Sequence, residues 1–189
     1  MAQQGPDKSS KVLKVIAAMW ALATLQLVAG NKLILMKNYD PERVQGKWYL
    51  QRINQIIIED LHSDLECIEF TLKHDAKVED LYEMSSHWFD ENREYKKTVF
   101  NIVDDRNEKA RYFFESDRDT VAVSILGTDY DNWLVAYGKN MGKDSYFVSS
   151  RAKKFPEQFT DAVEEILRIN EVERGWSPVV NDDRCPAEH

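Results

Sequence analysis

Gly46-Lys47-Trp48-Tyr49 begins the part of the chain that decides the fold. From this stretch to Arg151, runs rich in β-branched and aromatic residues alternate with polar turns about every ten residues, which is typical of an all-β barrel or sandwich. We expect eight strands, and they span residues 48–58, 66–73, 78–89, 95–103, 110–115, 121–127, 133–139 and 145–151.

The turns between these runs are short and consist mostly of Asp, Asn and Gly, which bond their own backbone or accept left-handed conformations. Short connections make strands that follow one another in sequence antiparallel neighbours in space. The pattern therefore predicts an all-β fold, an eight-stranded antiparallel up-and-down barrel. A closed barrel of eight strands has an interior just wide enough for one small ligand.

Three marks far apart in sequence are predicted to meet at one end of this barrel. Trp48 begins the first strand, Thr128-Asp129-Tyr130 forms the turn after the sixth strand, and Arg151 ends the eighth. In an up-and-down barrel these three positions lie at the same end. We expect the indole to close that end and the guanidinium to stack on its face, a contact worth about 0.5–2 kcal/mol.

These marks resemble the motifs of the lipocalin family. Gly46 and Trp48 match the first motif, Thr128, Asp129 and Tyr130 the second, and Arg151 the third. The resemblance covers residues 38–170. Within the family, the sequence looks most similar to the apolipoprotein D and insect bilin-binding proteins. It implies a container for a small apolar molecule rather than a catalyst. Those relatives commonly have two disulfides, whereas this chain has two cysteines.

The first thirty residues have the pattern of a signal peptide. Lys8, Lys11 and Lys14 precede an apolar run over residues 15–29, and Val28-Ala29-Gly30 offers small residues for cleavage. The alternative is a buried N-terminal helix or an uncleaved anchor. We expect a secreted, extracellular protein, with residues 1–30 as the signal peptide, 31–175 as the barrel with its helix, and 176–189 as a C-terminal tail.

Cys67 and Cys185 are expected to form a disulfide, because a secreted chain normally pairs its cysteines. This bridge would tie the tail to a strand early in the domain, and it resembles the strand-to-tail bridge of the lipocalin relatives. Two unpaired buried thiols are the alternative.

One helix is predicted after the barrel strands. It begins at Pro156, which is favourable in a first helical turn. An apolar stripe then faces away from most of the charged residues, and its members are Phe159, Val163, Ile166, Leu167 and Asn170. This pattern predicts a C-terminal helix packed on the outside of the barrel.

Strand alternation predicts which side chains line the barrel interior. If Arg151 points inward to reach Trp48, Phe147 also points inward, and on the strands between them we expect the more apolar face to point inward. The predicted ligand-binding residues are Leu50, Arg52, Tyr82, Met84, Trp88, Phe100, Ile102, Tyr112, Phe114, Val121, Val123 and Phe147. Arg52 shares the alternation of Trp48 and would bring a positive charge into the cavity, which suits a ligand with a carboxylate.

Ile56-Ile57-Ile58 lies at the predicted open end of the barrel. An isoleucine triplet there could form an apolar lid, or a transient contact with a membrane or a receptor. It could equally be the end of a longer first strand that is buried on both faces. The sequence leaves both interpretations open.

Charge and motifs exclude several functional classes. A formal net charge of -8 without a basic stripe argues against nucleic acid as a partner. The chain lacks a nucleotide-binding glycine loop, Gly-x-Ser-x-Gly and His-Glu-x-x-His, so we expect no enzyme and no cofactor. His62, Asp64, Glu66 and Cys67 are poorly spaced for a metal site. His87 alternates with an apolar face and is expected to be exposed rather than a haem ligand.

The sequence therefore favours extracellular binding and transport of a small hydrophobic ligand, such as a fatty acid, sterol, retinoid or tetrapyrrole. The first alternative is a secreted interaction or scavenger protein whose barrel is filled by its own side chains. A less favoured alternative is an intracellular fatty-acid-binding barrel, which lacks a signal peptide.

Overall fold

The computed structural model describes residues 33–54, 66–89, 92–115, 120–140, 143–172 and 175–186, all within one compact unit, Leu33–His189. Nine strands are assigned in this part of the chain: β1 (Gly46–Asn54), β2 (Glu69–His74), β3 (Leu81–Phe89), β4 (Tyr95–Asp104), β5 (Arg111–Glu115), β6 (Thr120–Thr128), β7 (Trp133–Asn140), β8 (Lys143–Ser150) and β9 (Trp176–Pro178). A 3₁₀ turn (Glu157–Phe159) leads into one helix, α1 (Thr160–Ile169).

Strands β1 to β8 form a closed antiparallel barrel. Each strand pairs with the next in sequence, and β1 pairs with both β8 and β2. The predicted eight-stranded up-and-down barrel is confirmed. The pleat of each strand sends alternate side chains to the barrel interior and to the outer wall.

The ninth strand was not predicted. β2 pairs only with residues 46–49 of β1, which leaves the far end of β1 without a neighbour on that side. β9 takes this place and pairs with residues 52–54 of β1, outside the closed ring. A parallel bridge between Glu66 and Val180 extends the contact of the tail.

The strand bounds differ from the predicted ones mainly at the second and third strands. Residues 66–68 precede β2, and residues 78–80 belong to the turn before β3, where Leu81 donates its N–H to the Val78 carbonyl. The other starts and ends differ by one or two residues, except that residues 55–58 of the predicted first strand lie outside the described residues.

A β-bulge interrupts β1 between Leu50 and Arg52. The additional residue, Gln51, directs its amide outward and donates to the carbonyls of Ala152 and Lys153 at 3.2 and 3.1 Å. Its own carbonyl accepts the N–H of Val179 in the tail at 2.9 Å. One additional residue reverses the inward and outward alternation of the strand beyond it.

Helix α1 packs on the outer wall of the barrel, as predicted. Val163 and Leu167 are buried in a cluster with Trp133, Val135 and Val148 of the wall. At the end of the helix, Asn170 donates from its side chain to the Ile166 carbonyl, and its side-chain oxygen accepts the Ile34 N–H at 2.8 Å. Within the described part of the chain, no helix has the length and apolar character needed to span a lipid bilayer.

The predicted disulfide between Cys67 and Cys185 is present, with the two Cα atoms 5.3 Å apart. The bridge closes a separation of 118 residues and joins the tail to the segment just before β2. The Cys67 N–H also donates to the Val180 carbonyl at 2.8 Å. The tail is therefore held to the barrel by a covalent bond as well as by strand pairing.

Candidate functional site

The closed end of the barrel is built around Trp48, whose side chain is fully buried. The indole N–H donates to the Val44 carbonyl at 2.8 Å, and the Arg151 guanidinium lies 3.7 Å from the ring centre. Arg151 also donates to the carbonyls of Lys47 and Tyr130 at 2.8 and 3.1 Å. The predicted stacking is present, and the guanidinium joins three separate segments of the chain.

The turn after β6 supplies the second part of this end. Oδ1 of Asp129 accepts the N–H groups of Asn132 and Trp133 at 2.8 and 3.0 Å. The Thr128 hydroxyl accepts the N–H of Tyr130 and donates to the Trp133 carbonyl. Tyr130 has a φ of 70°, a left-handed conformation that these hydrogen bonds stabilise.

Gly46 shows why the first motif begins with glycine. Its φ is 94°, and an added Cβ would lie 3.2 Å from Nη1 of Arg151. A larger residue would be strained at this φ and would displace the guanidinium. The structure thus brings the motif residues of β1, of the turn after β6 and of the end of β8 together at the closed end.

Four tyrosines form the floor of the barrel interior, which we call the floor cluster: Tyr39, Tyr82, Tyr112 and Tyr130. The hydroxyls of Tyr39 and Tyr112 are 2.6 Å apart, and both side chains are buried. Burial raises the pKa of both phenols far above the ordinary value, and it raises the pKa of Tyr82 to about 12. Sequence reasoning missed Tyr39, because it precedes the first strand and has no place in the alternation.

Asp104 adds an acidic group beside the floor cluster. It pairs in register with Tyr112, and one of its carboxyl oxygens is buried without a hydrogen-bond partner. Burial is the main cause that raises the pKa of Asp104 above its ordinary value, and the nearby Asp80 carboxylate adds to it. The floor is therefore a poor place for a second negative charge.

Above the floor lies a ring of apolar side chains that are only half-buried, although they face the interior. We call this set the upper layer: Phe70, Met84, Phe100, Phe114, Val123 and Phe147. The rings of Phe100 and Phe114 are 5.0 Å apart. Sequence reasoning missed Phe70, although its alternation with Glu69 and Thr71 is a signal that could have found it.

The other predicted lining residues fall into two groups. Leu50, Tyr82, Ile102, Tyr112 and Val121 are buried. Trp88 is half-buried near the far end of β3, where it pairs with Lys96 of β4. The predicted lining residues on β3 to β6 and Phe147 on β8 therefore share the inner face of the barrel.

The prediction that Arg52 points into the cavity is wrong. The bulge at Gln51 reverses the alternation, so Ile53 takes the inward position opposite Phe147. Arg52 lies on the outer wall, where its guanidinium pairs with Glu164 of α1 at 2.5 Å and stacks on the Trp176 ring at 4.8 Å. Arg52 therefore fixes the helix and the tail to the barrel.

The described residues also line two clefts on the outer wall. One, of about 320 Å³, lies beside Arg52 and Trp176, and the other, of about 440 Å³, beside Val103 and Phe113.

His87 is half-buried rather than exposed, because its ring stacks on Tyr95 with the ring centres 5.7 Å apart. Among the described residues, no group of three or more His, Cys, Asp or Glu is placed to hold a metal ion. Ile56, Ile57 and Ile58 lie outside them.

The architecture confirms the resemblance to lipocalins: the chain has the lipocalin fold. Apocrustacyanin C1 has a similar structure, with a TM-score of 0.66 and 16% sequence identity over 79% of this chain and 84% of that one. Lobster apocrustacyanin A1 is similar with a TM-score of 0.63 and 18% identity, over 77% of this chain and 81% of that one.

The major allergen Per a 4 from cockroaches also has a similar structure, with a TM-score of 0.65 and 14% identity over 81% of this chain and 93% of that one. The sequence matches no protein-family model and no curated protein. The fold is thus shared at identities where the sequences have diverged widely.

Proposed function

We propose that this protein binds and carries a small hydrophobic molecule outside the cell, without catalysis. The observation that carries the proposal is the residual exposure of the upper layer. Met84 on the inner face of β3 pairs in register with Leu72 of β2 on one side and with Phe100 of β4 on the other, so its half-buried side chain reaches solvent through the barrel interior. Half-buried inward residues therefore favour open space above the floor cluster.

The chemistry of this space suits an apolar ligand. Its walls are aromatic and aliphatic, and the floor offers neutral tyrosine hydroxyls. Apolar contact contributes about 25 cal/mol per Å² of buried surface before the costs of association are subtracted. Candidates are a fatty acid, a sterol, a retinoid or a tetrapyrrole.

Two features support an extracellular site of action. The leader in residues 1–30 has the pattern of a signal peptide. The disulfide between Cys67 and Cys185 is of a kind that persists in oxidising compartments. Western blotting of medium and cells after expression of the full chain tests this, and retention of the protein in the cell contradicts it.

Binding is tested by titrating delipidated protein with a panel of long-chain acids, sterols, retinoids and bilins while intrinsic tryptophan fluorescence is recorded. We expect saturable quenching by at least one class. The double variant Met84→Ser/Phe100→Ala changes two upper-layer residues that pair in register. It should raise the Kd of the ligand at least about tenfold.

Val99→Ala is the matched control, because Val99 is adjacent in β4 but is 49% exposed on the outer wall. It should leave binding unchanged. The absence of saturable quenching across the whole panel contradicts the carrier function.

One observation favours the second candidate, a secreted interaction protein. The second outer cleft is lined by Val78 of the turn before β3 and by Val103 of β4, each close to half exposed, and Val99 is equally exposed on the same outer face of β4. Exposed apolar groups on a wall are typical of a contact surface. This candidate gains support if the delipidated barrel takes up no ligand and excludes an apolar probe.

A further inference from the structure

We propose that the ligand is an apolar anion, and that Lys96 holds its carboxylate at the mouth of the barrel while its hydrocarbon part points toward the floor cluster. The proposal rests on the proposed function, since it names the class of molecule that the barrel binds. It assigns to Lys96 the role that the sequence had suggested for Arg52.

Lys96 lies on the inner face of β4. Exposure alternates along this strand: Tyr95, Lys97, Val99 and Asn101 are exposed, whereas Lys96, Thr98 and Phe100 are half-buried and Ile102 is buried. The register with β3 agrees, because Lys96 pairs with Trp88 and Phe100 pairs with Met84. The lysine thus belongs to the same inward row as the upper layer.

The position of Lys96 along the strand is at the end remote from the floor. Ile102 is buried in the core cluster of the floor, and the strand between the two residues is about 20 Å long at about 3.3 Å per residue. A ligand lying along this row would have Thr98 and Phe100 beside its hydrocarbon part. The arrangement suits a long apolar body with one charged end.

Charge at the two ends determines the orientation. At the floor, Asp104 has a buried carboxyl oxygen without a hydrogen-bond partner, which disfavours a second carboxylate there. Two cations near that end are already engaged: Arg151 donates to the carbonyls of Lys47, Tyr130 and Val44, and Arg43 stacks on the Tyr130 ring at 4.1 Å. An entering carboxylate is therefore better accommodated at the mouth, beside Lys96.

Lys96 forms an ion pair with Glu94, and a ligand carboxylate would have to replace it. The two side chains are 42% and 67% exposed. Ion pairs this exposed contribute little, because water screens both charges. A carboxylate whose hydrocarbon part is buried in the barrel is held next to the ammonium group by that burial, and so competes well with the exposed Glu94 carboxylate.

The experiment compares an acid with its neutral ester on the full mature chain. The probes are cis-parinaric acid and its methyl ester, followed by their fluorescence increase on delipidated protein. We expect Lys96→Gln to raise the Kd of the acid about tenfold and to leave that of the ester unchanged. Lys96→Arg should keep most of the affinity for the acid.

Two further variants separate the local effect from net charge. Lys97→Gln removes the same charge one residue away on the outer wall, and it should change neither Kd. Glu94→Gln removes the competing carboxylate, and it should lower the Kd of the acid without changing that of the ester.

The outcomes are distinguishable. If acid and ester bind equally in every variant, Lys96 has no role in ligand choice and the inference is wrong, while the carrier function stands. An equal loss of affinity for acid and ester in Lys96→Gln also overturns it, since the lysine would then act through apolar contacts of its methylene groups. If neither probe binds, and the wider panel also gives no signal, the carrier function itself fails.

Discussion

Asp104 places a carboxyl group where burial and a neighbouring carboxylate disfavour its charge. It follows Ile102 and Val103 at the end of β4, where the strand reaches the closed end, and it pairs in register with Tyr112 of the floor cluster. One oxygen is buried without a partner, and the other groups near it include the Asp80 carboxylate. Both features disfavour the ionised form.

We predict that Asp104→Asn stabilises the protein at neutral pH. The raised pKa means that the folded chain binds this proton more tightly than the unfolded chain. The stabilising effect of protonation is complete below pH 3.8, the ordinary value, and is lost as the pH rises through the raised pKa. Asparagine imitates the protonated form, so the free energy of unfolding should rise by about 1 kcal/mol at pH 7 and stay unchanged at pH 3.

Urea denaturation at the two pH values measures this effect. Asp183→Asn removes the same charge from an exposed position in the tail and serves as the control. A gain that is equal at pH 3 and pH 7, or equal in the control, would show that general charge repulsion and not the buried oxygen is responsible.

Among the elements, the strands and the helix were predictable because each repeats a simple period. β4 alternates regularly over ten residues, and α1 places Val163 and Leu167 on one stripe. The bulge in β1 and the three-residue strand β9 were not predictable, because neither contains a full period of any pattern. The error on Arg52 follows directly, since alternation was extended through a residue that interrupts it.

The contact between α1 and the barrel depends on a glycine in β6. A Cβ built on Gly127 would lie 3.0 Å from Cγ1 and Cδ1 of Ile166. We predict that Gly127→Ala lowers the free energy of unfolding by about 1–3 kcal/mol, because the helix must move away from the wall or Ile166 must leave its rotamer.

A double-mutant cycle with Ile166→Ala, which removes both Cγ1 and Cδ1, tests this cause. Each single variant should be less stable than the unaltered protein. The double variant should lose at least about 0.5 kcal/mol less stability than the two single losses added together. Additive losses would indicate that Gly127 matters for the backbone of β6 and not for the helix contact.

For the whole molecule, barrel closure explains why residues about a hundred positions apart form one site. The sequence predicted the convergence of Trp48, Thr128-Asp129-Tyr130 and Arg151, since up-and-down topology determines which end each turn occupies. It did not predict how far the inner side chains fill the barrel. That depends on rotamers at positions such as Tyr39 and Phe70, which the alternation of a strand does not specify.

Several interactions hold the C-terminal tail to the start of the domain. β9, the Glu66–Val180 bridge and the disulfide fix residues 176–185 to the start of the domain, and the Asn181 side chain donates to the Leu50 carbonyl at 2.5 Å. Because the disulfide closes a separation of 118 residues, it should restrict the unfolded chain strongly. The chain-entropy model puts this effect at about 4–5 kcal/mol.

We therefore predict that Cys67→Ala/Cys185→Ala lowers the free energy of unfolding by about 2–5 kcal/mol while the barrel still folds. Hydrogen exchange separates the effect of the disulfide on the whole chain from its local effect on the attachment of the tail. The amides of Val179 and Cys67, which donate to Gln51 and Val180, should lose more protection than amides in the β6–β7 pair. Equal loss of protection in both places would mean that the bridge acts only through the unfolded chain. Unchanged protection and stability would show that strand pairing alone holds the tail.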